Sequence, residues 1–163
     1  MSEFQQYRSS KMASGTVYQD FIVDLMFKRR ALVIMQFASR EYQFERGESL
    51  SGVEIKNDEK FHQTGNLWIE IGEKAAPRDG EYAPAGILRE DNSWLYIIGD
   101  YQTVFVFGKR NLVLLYESKR YQIRENDRKT SQGFLLPRVD ANRWALFVEH
   151  PNAAITAAEI FGT

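Results

Sequence analysis

Two apolar runs, WLYIIG at residues 94–99 and TVFVFG at residues 103–108, constrain the fold of this chain more than any other feature. Each run is apolar on both faces of an extended strand, which is typical of strands at the centre of a sheet. Only the tripeptide DYQ separates the runs, so we predict a hairpin of two central strands. The aromatic residues expected in the core are Trp94, Tyr96, Phe105 and Phe107.

Helical periodicity is found near the N-terminus. Val17, Phe21 and Leu25 recur at helical spacing and Thr16 is a suitable N-cap, so we predict a helix over about residues 17–29. Residues 1–15 are polar and contain Ser and Gly. We expect them to form a flexible N-terminus ahead of a single domain over residues 16–163.

The remaining segments complete a mixed arrangement of helices and strands. We predict a buried strand at residues 31–37, strands within YQIREN and GFLLP, and short helices near residues 84–90, in LVLLYES and in the tail ITAAEIF. No repeat or low-complexity tract divides the chain. The sequence therefore predicts an α/β fold with a central mixed β-sheet flanked by helices.

Composition excludes several classes of site. The 163 residues include no cysteine and only two histidines, so disulfides and cysteine-based zinc sites are absent and a histidine-rich site is poorly supplied. A bound metal would have to be held by carboxylates, which favours Mg²⁺ or Mn²⁺. No apolar run approaches the length of a membrane span and no signal-peptide pattern opens the chain, so we expect a cytoplasmic protein without a membrane partner.

Two segments alternate between apolar and polar residues. Val53 and Ile55 alternate with Glu54, Lys56 and Asp58, and the apolar residues 67, 69 and 71 alternate with Trp68 and Glu70. We interpret the two segments as a β-hairpin with a moderately long loop. If both apolar faces meet one core, then Glu54, Lys56 and Glu70 converge on the opposite face.

Two carboxylates and an ammonium group are what hydrolysis of a phosphodiester requires. Carboxylates can hold a divalent cation that activates water, and a lysine can orient that water or offset charge in the transition state. The simpler interpretation is a pair of exposed strands on which Glu and Lys form stabilising ion pairs. An isolated Glu-x-Lys does not distinguish these interpretations.

The segment GVEIKNDEKFHQTGNLWIE resembles the PD-(D/E)XK phosphodiesterases, in particular small phage and bacterial members. There an acid-x-Lys-x-Asp strand is followed by a Thr-Gly-Asn turn and an apolar strand ending in Glu. The stretch PAGILREDNSWLYIIG is also similar, and TSQGFLLP resembles a late strand of the same sheet. The resemblance covers roughly residues 17–117 and implies a restriction-endonuclease-like core and a Mg²⁺- or Mn²⁺-dependent nuclease acting on DNA.

The resemblance allows two assignments of the acids. Glu48 can match the first acid, with Glu54-Ile55-Lys56 as the acid-x-Lys; the sequence has no literal Pro-Asp here. Alternatively, Glu54 is the first acid and Glu70 the second. Both assignments share Glu54 and Lys56, so we name Glu54, Lys56 and Glu70 as catalytic residues. The candidate metal ligands are Glu48, Glu54, Asp58 and Glu70.

Net charge gives no support for nucleic-acid binding, but the charge distribution does. The formal net charge is −1, whereas residues 109–129 contain seven Lys or Arg against three Asp or Glu. This excess is either a solvated face or a phosphate-contacting surface. The residues named as nucleic-acid-binding are Lys74, Lys109, Arg110, Lys119 and Arg120. Trp68, on the predicted face of Glu70, is a candidate for stacking on a base or for shielding the site.

The sequence leaves different classes of function open. The first is a metal-dependent endonuclease, and the second is a non-catalytic nucleic-acid- or protein-binding domain that keeps a nuclease-like fold. A third is an interaction protein whose Glu and Lys residues only form surface ion pairs. Because a chain of 163 residues has little room for a separate recognition domain, specificity is expected from a homodimer or a protein partner.

Overall fold

The structure is a computed structural model that describes residues 3–37, 39–47 and 49–154. The helices are α1 (Glu3–Arg30), α2 (Arg40–Arg46), α3 (Phe61–Thr64), α4 (Lys109–Glu117) and α5 (Arg138–Trp144), with a 3-10 helix at Gly86–Leu88. The strands are β1 (Val53–Asn57), β2 (Asn66–Glu73), β3 (Ala83–Pro84), β4 (Leu95–Gly99), β5 (Val104–Gly108), β6 (Ile123–Glu125), β7 (Ser131–Pro137) and β8 (Phe147–Glu149).

A mixed sheet in the order β1-β4-β5-β8, here called the first sheet, contains the predicted central hairpin. Strands β4 and β5 pair in antiparallel orientation and are almost entirely buried, as their two-sided apolar sequences predict. Strand β1 pairs with β4 in parallel and forms one edge of the sheet. The α/β class, with a mixed sheet flanked by helices, is confirmed.

The second sheet has the order β3-β2-β7-β6, and its pairings are antiparallel. Strands β1 and β2 therefore belong to different sheets, and the predicted hairpin between them is wrong. The alternating pattern identified each strand correctly, but the connecting residues form α3 and lead the chain from one sheet to the other.

Alternating residues of the first sheet enter two separate cores. Val53, Ile55, Leu95 and Ile97 pack with Val104 and Val106 against α1, whose buried stripe is Tyr18, Ile22, Leu25 and Met26. Tyr96, Ile98, Phe105 and Phe107 face the other way and pack with apolar residues of the second sheet, α4 and α5. Because side chains on a strand alternate, Glu54 and Lys56 of β1 must point toward this second core.

The structure corrects several local predictions. Helix α1 begins at Glu3, well before the predicted start. Its buried stripe begins at Tyr18, one residue after the predicted Val17, so Val17 is exposed. Residues 31–37 contain no strand but one isolated bridge, Gln36 to Ser49, and Val33 and Met35 are exposed. Trp94 is 58% exposed rather than in the core. The tail ITAAEIF, predicted to be helical, spans residues 155–161 and lies outside the described residues.

Candidate functional site

A cleft of about 660 Å³ opens where the edge strand β1 meets the second sheet. Residues 56–60, at the end of β1 and in the following turn, form one wall. Trp68, Glu70 and Leu135 of the second sheet line another, and residues 124–127 of β6 and the β6–β7 turn line a third. A concave region of this size with several polar groups has the dimensions of an ordinary ligand site.

Glu54 is the most deeply buried of the predicted site residues. It is only 5% exposed, and Lys56 Nζ lies 2.6 Å from its Oε1. The lysine is half-exposed and lines the cleft, so it connects the buried carboxylate to the cleft interior. Removing a carboxylate from water is unfavourable unless a partner compensates it, and Lys56 supplies that partner here.

Glu70 reaches the cleft from the other sheet. Ser131 Oγ donates a hydrogen bond of 2.5 Å to its Oε1, and the β2–β7 register shifts between Glu70 and Gly72. Such a bulge redirects the side chains beside it. Gly86 packs directly on Glu70, because a Cβ at Gly86 would lie 2.2 Å from the Glu70 carbonyl oxygen. Glu70 is thus held by its side-chain partner and by close backbone packing.

Asp58 has a different set of contacts from the two glutamates. Its Oδ2 accepts a hydrogen bond of 2.7 Å from the backbone N–H of Trp68, and its Oδ1 accepts one of 3.2 Å from the N–H of Lys60. Burial raises the pKa of Asp58 despite these hydrogen bonds, which act in the opposite direction. Asp58 therefore joins the end of β1 to β2, which fixes the wall of the cleft.

The pKa of the Tyr96 hydroxyl responds to charged residues from both sheets. Tyr96 is the register partner of Glu54 on β4 and lines the cleft. Burial raises its pKa most strongly; the charge of Glu54 adds to the increase, Lys56 opposes it, and Asp91 and Glu70 contribute further. Charges from both sheets thus act on one buried phenol that lines the cleft.

The donor atoms in this region suit a hard divalent cation. The cleft offers the carboxylate of Glu70 and, on another wall, that of Asp58. Within those residues no group of three or more His, Cys, Asp or Glu is arranged to hold a metal. Magnesium commonly uses only one or two protein carboxylates together with waters and substrate phosphates, so oxygen donors of this kind fit it. Glu48, the remaining candidate ligand, lies outside the described residues.

The charges that line the cleft also favour a cation. Three cationic side chains line it, Lys56, Lys60 and Arg124, and five anionic ones do so, Asp58, Glu59, Glu70, Glu125 and Asp127. One divalent cation would balance this excess of two negative charges. A polyanion would then enter with less electrostatic repulsion.

The five residues predicted to bind nucleic acid are not among the described residues that line this cleft. Their side chains are all within the described part of the chain. Lys109 is largely buried and donates hydrogen bonds of 2.6 Å to the Arg89 carbonyl and 2.8 Å to Asp91 Oδ1. Arg110, Lys119 and Arg120 are exposed on or just after α4, and Lys74 Nζ lies 4.5 Å from the ring centre of Tyr82.

Arg124 also lines the cleft, although the sequence did not single it out. In the second sheet Arg124 pairs with Gly133 and Gly133 pairs with Glu70, so the arginine and the glutamate flank a residue without a side chain. Arg124 forms no ion pair with any residue that the structure describes. The available signal was its place within the basic segment 109–129, but that segment did not distinguish Arg124 from its neighbours.

Comparisons with protein-family models, with curated proteins and with solved structures each found no match to this chain. None of the described helices is both long and apolar enough to cross a membrane.

Proposed function

We propose that this protein is a metal-dependent nuclease with a restriction-endonuclease-like core, and that it hydrolyses phosphodiester bonds of DNA at the cleft beside β1. The observation that carries the proposal is the buried Glu54, whose carboxylate is 2.6 Å from Lys56 Nζ, because Lys56 and Glu70 both line the cleft. Buried, paired ionisable groups at a concave surface are typical of functional sites. The resemblance of GVEIKNDEKFHQTGNLWIE to the PD-(D/E)XK phosphodiesterases supports the same assignment.

The proposed roles follow from the contacts of each side chain. Glu54 and Glu70 are the protein ligands for Mg²⁺ or Mn²⁺. Asp58 is a positioning residue, because both of its oxygens accept backbone hydrogen bonds. When bound, such a cation supplies a water of lowered pKa and positive charge beside the phosphoryl oxygens. Lys56 orients that water and offsets negative charge that develops in the transition state.

The arrangement of the first sheet is also in line with this proposal. A mixed sheet carries the acid-x-Lys segment on an edge strand, and the N-terminal helix α1 packs on the opposite face of that strand. The site residues therefore belong to rigid strands, which suits a centre that must hold its geometry during catalysis.

Cleavage of labelled DNA by the purified full chain tests the proposal. Wild type, Glu54→Gln and Lys56→Met are incubated with single-stranded and duplex DNA in Mn²⁺ or in EDTA, with Asp24→Asn as the control. Asp24 forms an exposed ion pair with Lys28, so its substitution removes a carboxylate far from the cleft. We expect Mn²⁺-dependent cleavage by wild type and control, and a loss of at least about 100-fold in both site variants. Folded wild type that cleaves no DNA, or site variants that remain as active as the control, would refute the proposal.

One observation favours a second candidate function, a non-catalytic nucleic-acid- or protein-binding domain. The ammonium of Lys56 already neutralises Glu54, and no group of three or more His, Cys, Asp or Glu within residues 3–37, 39–47 and 49–154 is arranged to hold a metal. Calorimetric titration with Mn²⁺ separates the two functions. Binding that is lost in Glu70→Gln supports the nuclease, whereas the absence of any binding, together with retained DNA affinity, supports the binding domain.

A further inference from the structure

One face of the second sheet carries an aromatic and a cationic side chain on either side of Glu70. Trp68 and Glu70 are two residues apart on β2, so they project from the same face, and Arg124 reaches that face across Gly133. All three side chains line the cleft. The face thus combines a planar apolar ring, a carboxylate and a guanidinium group within one strip of sheet.

The ring of Trp68 is held in place before any ligand binds. A Cβ at Gly133 would lie 2.8 Å from Trp68 Cζ2 and 2.9 Å from Cε2, so the six-membered ring occupies the space that a side chain there would fill. The backbone of Trp68 is fixed separately, through its hydrogen bond to Asp58. A ring held in this way forms a platform on which another flat group can stack with little loss of entropy.

Bases within a duplex are already paired and stacked on their neighbours, whereas the bases of a single strand can rotate onto an aromatic ring. Trp68 lines a cleft of about 660 Å³, so a base must enter the cleft to reach the ring. The walls approach each other where Lys60 Nζ lies 3.2 Å from Asp127 Oδ2, and this pair is so exposed that it opposes opening only weakly.

We propose that the cleft binds single-stranded DNA, with a base stacked on Trp68 and a phosphate paired with Arg124. The inference rests on the proposed function, because it takes Glu54, Lys56 and Glu70 as the groups that the strand must reach. It adds the substrate class and two recognition residues. Stacking on an aromatic ring accepts any base, so the cleft selects for an unpaired strand rather than for a sequence.

Binding in Ca²⁺, a cation that oxygen ligands also hold, tests the inference, and gel analysis of the DNA shows whether it stays uncleaved. Fluorescence anisotropy compares a labelled single strand with the same sequence closed into a duplex, for wild type, Trp68→Leu, Trp68→Phe and Trp144→Leu. Trp144 lies on α5 and does not line the cleft. We expect wild type to bind the single strand at least about tenfold more tightly than the duplex, and Trp68→Leu to lose at least about fivefold of the single-strand affinity. Trp68→Phe should retain most of the affinity, and Trp144→Leu should match wild type.

A salt titration tests Arg124 independently. For a single strand, each lost phosphate contact lowers the slope of log K against log salt concentration by about 0.7. Arg124→Gln should show this reduction between about 50 and 200 mM salt, whereas Arg78→Gln, at an exposed arginine that does not line the cleft, should keep the wild-type slope. Urea unfolding of every variant identifies any that has lost its fold.

The outcomes separate this inference from the proposed function. Tight single-strand binding that depends on Trp68 and Arg124, without cleavage in Mn²⁺, would support the inference and refute the nuclease. Cleavage together with equal affinity for duplex and single strand, or with Trp68→Leu and Trp144→Leu equally tight in binding, would overturn the inference and leave the nuclease standing.

Discussion

Lys56 Nζ lies 2.6 Å from Glu54 Oε1, although the two residues are separated by a single residue on one strand. Both side chains point from the edge strand β1 toward the space between the two sheets, where Tyr96 and Ile98 of the adjacent strand are buried. The carboxylate is almost completely buried, whereas the lysine side chain is 41% exposed. This asymmetry means that loss of the lysine and loss of the glutamate affect the fold differently.

Lys56→Met should destabilise the protein more than Glu54→Gln does. The methionine leaves a buried carboxylate without its cation, and we expect the free energy of unfolding to fall by about 1–3 kcal/mol. Glu54→Gln leaves a lysine that can turn to water, so the loss should stay below about 1 kcal/mol. Urea denaturation at neutral pH measures both values. A larger loss for Glu54→Gln would contradict the view that Lys56 compensates the buried charge.

Glu149 should contribute strongly to stability because it joins β8 to the end of α1. Its side chain is 3% exposed, forms an ion pair with Arg30, and lies 3.8 Å from Arg29 NH1. Glu149→Gln leaves these two arginines beside a neutral group, and we expect the free energy of unfolding to fall by about 2–4 kcal/mol.

The exposed pair between Lys28 and Asp24 provides the matched control for Glu149. The two side chains are 68% and 60% exposed, so Asp24→Asn should change the free energy of unfolding by less than about 0.5 kcal/mol. Chemical denaturation of both variants under one set of conditions gives the comparison. Similar losses in the two variants would show that burial does not strengthen the ion pairs of Glu149.

The ion pair between Lys109 and Asp91 should make stability depend on pH in the acid range. Burial alone would raise the pKa of Asp91, but hydrogen bonds from Lys109 and Ser93 outweigh it and hold the pKa below its ordinary value. Since an unfolded aspartate titrates at about pH 3.9, the stabilisation is complete above that pH and is lost as the pH falls through the lower pKa of the folded state.

Lys109→Met tests this pH dependence. At pH 7 the variant should lose about 1–3 kcal/mol of unfolding free energy, because buried Asp91 loses its nearer cation and keeps only Arg89, whose Nε lies 3.9 Å from Oδ2. The difference from wild type should narrow as urea denaturation is repeated toward about pH 3. A difference that is constant over this range would mean that Lys109 acts only through its hydrogen bond to the Arg89 carbonyl.

The central strands could be predicted from the sequence because the residues that define them are close together along the chain. The runs that became β4 and β5 are apolar on both faces and adjacent along the chain, so the residues themselves define both the burial and the pairing. Aromatic character alone was a weaker guide to burial. Trp94 stands just before β4, where its ring lies beside Gly52 and its Nε1 donates to the Ser51 carbonyl, and it remains on the surface.

The partner of β1 could not be predicted in the same way. An alternating pattern shows which residues of a strand share a face, but it does not identify the neighbouring strand. Strand β1 pairs in parallel with β4, about forty positions later in the chain, rather than with the next strand β2. Glu70 still reaches the cleft, because the second sheet packs beside the edge of the first. Lys56 and Glu70 therefore line one cleft from two different sheets, and not as neighbours on one hairpin.

Gly86 should be more sensitive to alanine substitution than Gly65, although both have a left-handed backbone, with φ of 53° and 65°. Alanine at either position adds the strain of that conformation, about 1–2 kcal/mol. Open space surrounds Gly65, whereas a Cβ at Gly86 would lie 2.2 Å from the Glu70 carbonyl oxygen and 2.8 Å from the Glu70 Cβ. Gly86→Ala must therefore displace β2 at Glu70, and we expect it to lose at least about 2 kcal/mol more than Gly65→Ala in urea denaturation.

The same displacement should weaken binding at Glu70. Calorimetric titration with Mn²⁺ should show reduced affinity in Gly86→Ala and wild-type affinity in Gly65→Ala, provided that both variants are folded. Equal stability and equal Mn²⁺ affinity in the two variants would mean that β2 can adjust around the added methyl group. The position of Glu70 would then be set by its hydrogen bond from Ser131 rather than by its contact with Gly86.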